Sequence, residues 1–233
     1  NVRTCLSLFS RLPGTVAVLA GNHDVWARGH HSQDLWERHL PEAVRDAGML
    51  WLEDAIWQQD GVAVVGSIAW YDYSAVDPTI PSHPPEYFAA QKRHYNLDAK
   101  YVDWPWTDAE FATRVGDALC ARLAQLEADS AISSIIAVTH VPLFDVQMAR
   151  KPADRRWGFS NAYFGNLTLG QRILQSQKLR AVISGHTHVG RTGTVTRPEA
   201  PDHPPIPVSV LASDYNNPVY QVVITRESQE DVE

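Results

Sequence analysis

AVISGHTHVGRTGTV, residues 181–195, sets an apolar, β-prone run against a glycine and then two histidines one residue apart. A short run of Ala, Val and Ile reads as a strand buried on both faces. The turn after it delivers His186 and His188. The same arrangement occurs twice more: TVAVLA (residues 15–20) runs into GNHD (residues 21–24), and SIIAVTH (residues 134–140) ends on Thr139 and His140. In an α/β sheet, chemistry collects in the crevice beyond the carboxyl ends of the strands. Three such loops can meet there although long stretches of chain separate them.

Between these strands the pattern alternates. Val2, Cys5, Leu6, Leu8, Phe9 and Leu12 fall largely on one helical face that stops at Pro13-Gly14. A helical region follows over residues 32–47, with Pro41 dividing it and opening a new helix. Residues 49–52, 54–59 and 62–67 read as strands, the last two joined by Asp60-Gly61, a favoured hairpin turn. Residues 69–100, rich in Pro, Tyr and His and without a period, read as a long surface excursion. Thr107 and Glu110 form a capping-box pattern ahead of an amphipathic helix carrying Phe111, Val115, Leu119, Leu123 and Leu126. KPADRRWGFSNAYFGN, residues 151–166, reads as a second long loop, and Thr168 with Gln171 as another capping box. TGTVT, IPVSVLA and VYQVVIT supply later strands. Together these predict one domain over residues 1–233, an α/β sandwich with mixed sheets and antiparallel additions near the C-terminus.

Composition narrows the function. A chain of 233 residues that is 44% hydrophobic and 20% charged has the makings of an ordinary core without disulfides. The two cysteines, Cys5 and Cys120, are expected to be reduced core thiols, which together with the lack of a long apolar run suits a cytoplasmic protein with no membrane span. The net charge of −7 disfavours an extended nucleic-acid groove. A bound metal ion would still make a local positive site for phosphate.

Each motif has a plain reading when taken singly. A histidine at a strand end is often just a satisfied polar group, GHTH can cap a turn, and GNHD can be an Asx-type turn. Their conjunction favours a metal site, because imidazole nitrogens and short side-chain oxygens suit Zn, Fe and Mn. The ordered set GNHD, TH and GHTH resembles that of the calcineurin-like metallophosphoesterases. That resemblance implies a β-sandwich flanked by helices, in four α/β/β/α layers, with a two-metal site at its edge. It implies Asn22, His140 and His186 as ligands of one ion and His188 as a ligand of its neighbour. It also implies His23 beside the substrate phosphate, with Asp24 orienting its ring.

The activity so implied is hydrolysis of a small phosphomonoester or phosphodiester by a metal-activated hydroxide, with two divalent or mixed-valence ions of Mn, Fe or Zn. His23 would stabilise or protonate the leaving oxygen. Arg191, Arg155 and Arg156 are expected substrate contacts, with Lys151 beside them. Trp70, Tyr71, Tyr73, Trp104 and Trp106 are candidates for an aromatic wall, and Asp214 for orienting a ligating histidine.

The resemblance departs at the front. The family's D-x-H and G-D motifs, which supply further ligands including a bridging carboxylate, do not occur upstream of GNHD. The first strands are therefore expected from a preceding segment or a separate chain completing the site. The alternatives are a nuclease of the same fold, or a noncatalytic binding or scaffold protein with a degenerate metal site.

Overall fold

The structure is a computed structural model that describes residues 2–214 and 217–225. Its main sheet has six strands: β3 (Trp57–Gln59), β4 (Val62–Ser67), β5 (Ser134–Thr139), β6 (Leu179–Ser184), β7 (Arg191–Val195) and β8 (Ile206–Val210), in the order β3-β4-β5-β6-β8-β7. The central strands β4, β5, β6 and β8 run parallel, and β3 and β7 lie antiparallel at the edges. A second, parallel pair joins β1 (Ala17–Val18) to β2 (Leu50–Trp51). The expected mixed α/β sandwich is what forms.

Register positions the site. Ser67 is level with Thr139, and Thr139 with Ser184, so β4, β5 and β6 end in one row. The ladder continues one step past the strands: His140 N–H donates to Ser67 O at 3.1 Å, and Gly185 N–H to His140 O at 3.0 Å. Both histidine-bearing turns thus leave the sheet from the same height. At the far end of β4, Asp60 (φ 52°) and Gly61 (φ 80°) make the two-residue turn from β3. That conformation needs positive φ at both positions, which Asp and Gly tolerate.

The helices are α1 (Val2–Phe9), α2 (Ser32–Asp34), α3 (Leu40–Asp46), α4 (Pro85–Tyr95), α5 (Asp98–Tyr101), α6 (Asp108–Ala128), α7 (Arg155–Ser160) and α8 (Leu167–Ile173). A π-helical turn, Leu35–His39, links α2 to α3 without a break, so Pro41 falls in the first turn of α3 but does not divide the helical region as expected. The capping box at α6 is present, with Glu110 N–H on Thr107 Oγ1 at 3.2 Å and Thr107 N–H on Glu110 Oε2 at 2.8 Å. Phe111 and Val115 pack into an aromatic core with Trp36, Trp70 and Tyr71, and Leu119, Leu123 and Leu126 pack onto the main sheet. One helix thus serves both cores, and Phe111→Ala should cost about 3–5 kcal/mol.

Between those halves Arg122 turns inward. Its guanidinium donates to Leu52 O at 2.6 Å and Gly66 O at 2.7 Å, tying the end of β2 to β4. Glu53 lies close enough to act on that charge, and burial pushes its own carboxyl up to about 8.

Several expectations are corrected. Residues 69–100 are not a surface excursion: Ala69, Trp70 and Tyr71 are fully buried, and the segment carries α4 and α5. Ring-to-ring packing follows no helical or strand period, so the segment gives no repeat to read. Residues 151–166 are not a loop either, since Asp154 caps α7 by accepting Trp157 N–H at 2.9 Å. The cap of α8 is Asn166, which accepts Leu169 N–H at 2.8 Å, rather than Thr168. Cys5 is exposed and Cys120 partly so, hence both are free thiols but neither is a core residue. Leu8, Phe9 and Leu12, expected on a packed face, are exposed. Residues 219–225 form no strand; Tyr220 and Ile224 face solvent. No helix among the described residues is long and apolar enough to cross a membrane.

Candidate metal centre

GNHD forms a single 3₁₀ turn over Asn22–Val25, closed by Gly21 N–H donating to Asp24 Oδ2 at 2.8 Å. Gly21 has ordinary extended φ, so it is not there for a left-handed backbone. Its role is close approach: a Cβ there would stand 2.8 Å from Cε1 of His140. At the other turn the unusual backbone belongs to the histidines themselves, His186 at φ 68° and His188 at φ 56°. A non-glycine residue pays on the order of 1–3 kcal/mol to sit there, a cost usually met at functional sites.

These turns bring three polar atoms together. His140 Nε2 is 2.9 Å from Asn22 Oδ1 and 3.1 Å from His186 Nδ1. On the far side of its ring, His186 Nε2 lies 3.1 Å from Tyr163 O, a carbonyl that can only accept. The proton of neutral His186 therefore belongs on Nε2, which leaves a lone pair on Nδ1 facing the cluster. Asn22 Oδ1 is also an acceptor, so one proton on His140 Nε2 is shared between two lone pairs.

That donor set fits a cation. Ligand atoms about 2.1 Å from a transition metal at right angles stand about 3 Å apart, the spacing seen here. Desolvation holds His140 well below its ordinary pKa, with His186, His23 and His188 adding repulsion against a proton. His186 is lowered by the same desolvation, partly offset by Asp98 and the Tyr163 carbonyl. Both rings are thus neutral, the form that ligates. His188 sits apart, with Nδ1 3.6 Å from Asp214 Oδ1. Among the described residues no three His, Cys, Asp or Glu side chains form a cluster that could hold a metal by themselves. Asn22 is what extends the pair of histidines to three donors.

Around the cluster opens a cavity of about 530 Å³, lined on its polar side by Asn22, His23, His140, His186 and His188. Its aromatic wall is Trp26, Tyr95, Trp157 and Phe164. The rings expected there are elsewhere: Trp70, Tyr71, Tyr73 and Trp104 belong to the aromatic core, with Trp106 packed against it. Arg191 begins β7, and neither it nor Arg155 nor Arg156 lines the cavity. Arg156 instead donates to His94 O at 2.8 Å and lies 5.1 Å above the Tyr95 ring, and Lys151 lies 3.6 Å above Trp157.

His23 stands at the cavity mouth against Trp26, ring centroids 4.0 Å apart. Desolvation lowers its pKa, outweighing Asp98 and then Asp24, both of which pull it up. Asp24 is itself raised by desolvation, against the Gly21 N–H that favours its charged form. Asp98 carried no signal in the sequence, because NLDAK matches no motif. It is fully buried beneath Asn22.

Residues 2–190 match the family of calcineurin-like phosphoesterases, and the chain belongs to that family. Among curated proteins nothing matches. Among solved structures the fold is similar to that of a phosphopantetheinyl hydrolase from Mycobacterium tuberculosis, at TM-score 0.68 and 19% identity, covering 89% of this chain and 72% of that one. A dimetal phosphatase from Danio rerio aligns over 90% of this chain and 76% of its own, at TM-score 0.37 and 12% identity.

Proposed function

We propose that this chain is a metal-dependent phosphoesterase acting on a small phosphomonoester or phosphodiester. The observation that carries the reading is the meeting of Asn22 Oδ1, His140 Nε2 and His186 Nδ1 within 2.9 and 3.1 Å, from three separate strand ends. These three would hold one cation, and His188 a second beside it. Bound there, divalent transition metals neutralise phosphoryl oxygens and acidify water.

The rest falls to the chain's own side chains. His23 faces the same cavity and takes the leaving oxygen. Its desolvated imidazole is neutral before substrate arrives, so it first offers an N–H hydrogen bond. A phosphate dianion entering the cavity raises the affinity of the ring for a proton; His23 takes one up from solvent and then gives it to the departing oxygen as charge builds on it, returning to the neutral imidazole. Asp24, together with the buried charge of Asp98, supports that protonated form. Trp26, Tyr95, Trp157 and Phe164 receive the organic part of the ester and keep water from the leaving group, and a space of about 530 Å³ suits a small one.

The test is metal analysis of the purified protein combined with turnover of generic monoesters and diesters after loading with Mn, Fe or Zn. Bound metal and turnover are expected. Protein that takes up no metal and turns nothing over would instead support the noncatalytic scaffold.

A further inference from the structure

The buried carboxylate of Asp98 has a distinctive set of partners. Its Oδ1 accepts from Asn22 Nδ2 at 2.9 Å and from Trp26 Nε1 at 2.7 Å, and its Oδ2 accepts from the Tyr71 hydroxyl at 3.0 Å. The rings that hold it are themselves held, Trp26 stacked on Tyr101 at 4.5 Å and Tyr71 on Trp70 at 4.7 Å. Asp98 N–H donates to Asn96 Oδ1 at 2.7 Å, fixing the start of α5.

Asp108 provides the contrast. It also accepts from a tryptophan and a tyrosine, Trp70 Nε1 at 2.7 Å and Tyr73 OH at 2.6 Å, but its third partner is the Lys92 ammonium at 2.7 Å. Asp108 is thus a neutralised structural knot. In Asp98 the place of the lysine is taken by the amide of Asn22, and among the described residues Asp98 has no cation in ion-pair contact.

An amide has one accepting and one donating end, and a carboxylate tolerates only the donor. With NH₂ turned to Asp98, Oδ1 must turn to His140, as it does. We infer that Asp98, through its hydrogen bond to Asn22, is the positioning residue that locks the Asn22 amide with its oxygen toward the metal centre. This rests on the metal-centre reading above. It ties residues 69–106, which carry no family motif, to the affinity of the site.

The test is a double-mutant cycle read by Mn²⁺ titration, with free Mn²⁺ followed by electron paramagnetic resonance and folding by circular dichroism. With Asn22 present, Asp98→Ala frees the amide to rotate, and Kd should rise roughly 10- to 100-fold. With Asn22→Asp, either rotation presents an oxygen and Asp98 faces a like charge, so Asp98→Ala should leave Kd unchanged or lower it. Equal weakening in both backgrounds overturns the inference while leaving the metal centre standing. A wild-type chain that takes up no Mn²⁺ overturns both. Where Asp98→Ala does not fold, Asp98→Asn replaces it: in the Asn22→Asp background it removes the carboxylate–carboxylate contact and should leave Kd unchanged or lower it, and weaker binding overturns the inference.

Discussion

The strand-end turns and the aromatic core beneath them are built on opposite principles. The turns hold a few polar atoms in positions that cost energy: His186 and His188 at positive φ, and His140 pressed against a glycine that admits no side chain. The aromatic core holds Trp70, Tyr71, Tyr73, Trp104 and Phe111 at ring spacings of 4.0 to 6.2 Å, and its few polar ends converge on two buried carboxylates. Positive φ does not divide the two regions, since Tyr73 in the aromatic core also sits at φ 70°; what divides them is that the first gathers desolvated polar atoms around a cavity and the second buries rings against one another. Asp98 is where the two touch, so the division of labour can be attacked from either side.

The largest effect should come from the turns. His140→Ala or His186→Ala removes a donor atom from the cluster, and turnover should fall by at least roughly a hundredfold, more than an outer partner costs. Metal analysis should show the loss of bound ion, with circular dichroism showing that the variants still fold. If turnover persisted at the wild-type level, these histidines would not be the chemical end of the comparison.

Damage to the aromatic core should do the reverse. Asp108→Ala leaves the Lys92 ammonium buried without its partner and should cost about 3–5 kcal/mol by denaturant titration. Mn²⁺ affinity of the folded fraction should stay within about threefold. A loss of affinity as large as that from Asp98→Ala would erase the distinction between the two carboxylates.

A smaller effect separates the sheet junction from both regions. Glu53 has a folded-state pKa of about 8 against an ordinary value of 4.5. Between those values the folded state holds a proton that the unfolded state has lost, so this group makes stability fall as pH rises from 4.5 to 8 and then level off. Glu53→Gln should flatten that slope, with a gain on the order of 2–4 kcal/mol at pH 8 relative to pH 5. Urea midpoints across that range measure it; an unchanged slope would mean the carboxyl is ionised in the fold. Smallest of all, Arg191→Ala and Arg155→Ala should shift neither KM nor stability by more than about 0.5 kcal/mol, since both lie away from the cavity. A raised KM would restore the phosphate contacts expected from sequence.

The same contrast explains what the sequence disclosed. Strand ends followed by GNHD, TH and GHTH are local patterns, because a short apolar run and the turn after it are encoded in adjacent residues. TH and GHTH meet through register, in which Thr139 and Ser184 stand level, whereas GNHD comes from the separate β1–β2 pair and joins them through the contact of Asn22 with His140. Residues 69–100 read as an excursion in the sequence because rings spaced irregularly along the chain pack by shape rather than by period. Asp98 was invisible for the same reason: its partners Asn22, Trp26 and Tyr71 are distant in the chain, and no spacing announces them. The caps at Asp154 and Asn166 were legible in kind, as Asp and Asn before helices, but GFSNAYFGN offered too many glycines and asparagines to single out a start.

The central claim is that Asn22, His140 and His186 together hold a cation. Crystals soaked in Zn²⁺ and measured across the zinc absorption edge test it directly. The account predicts an anomalous peak about 2.0–2.2 Å from Asn22 Oδ1, His140 Nε2 and His186 Nδ1. A difference map with no peak among those three atoms, or with zinc bound only elsewhere on the surface, would contradict it.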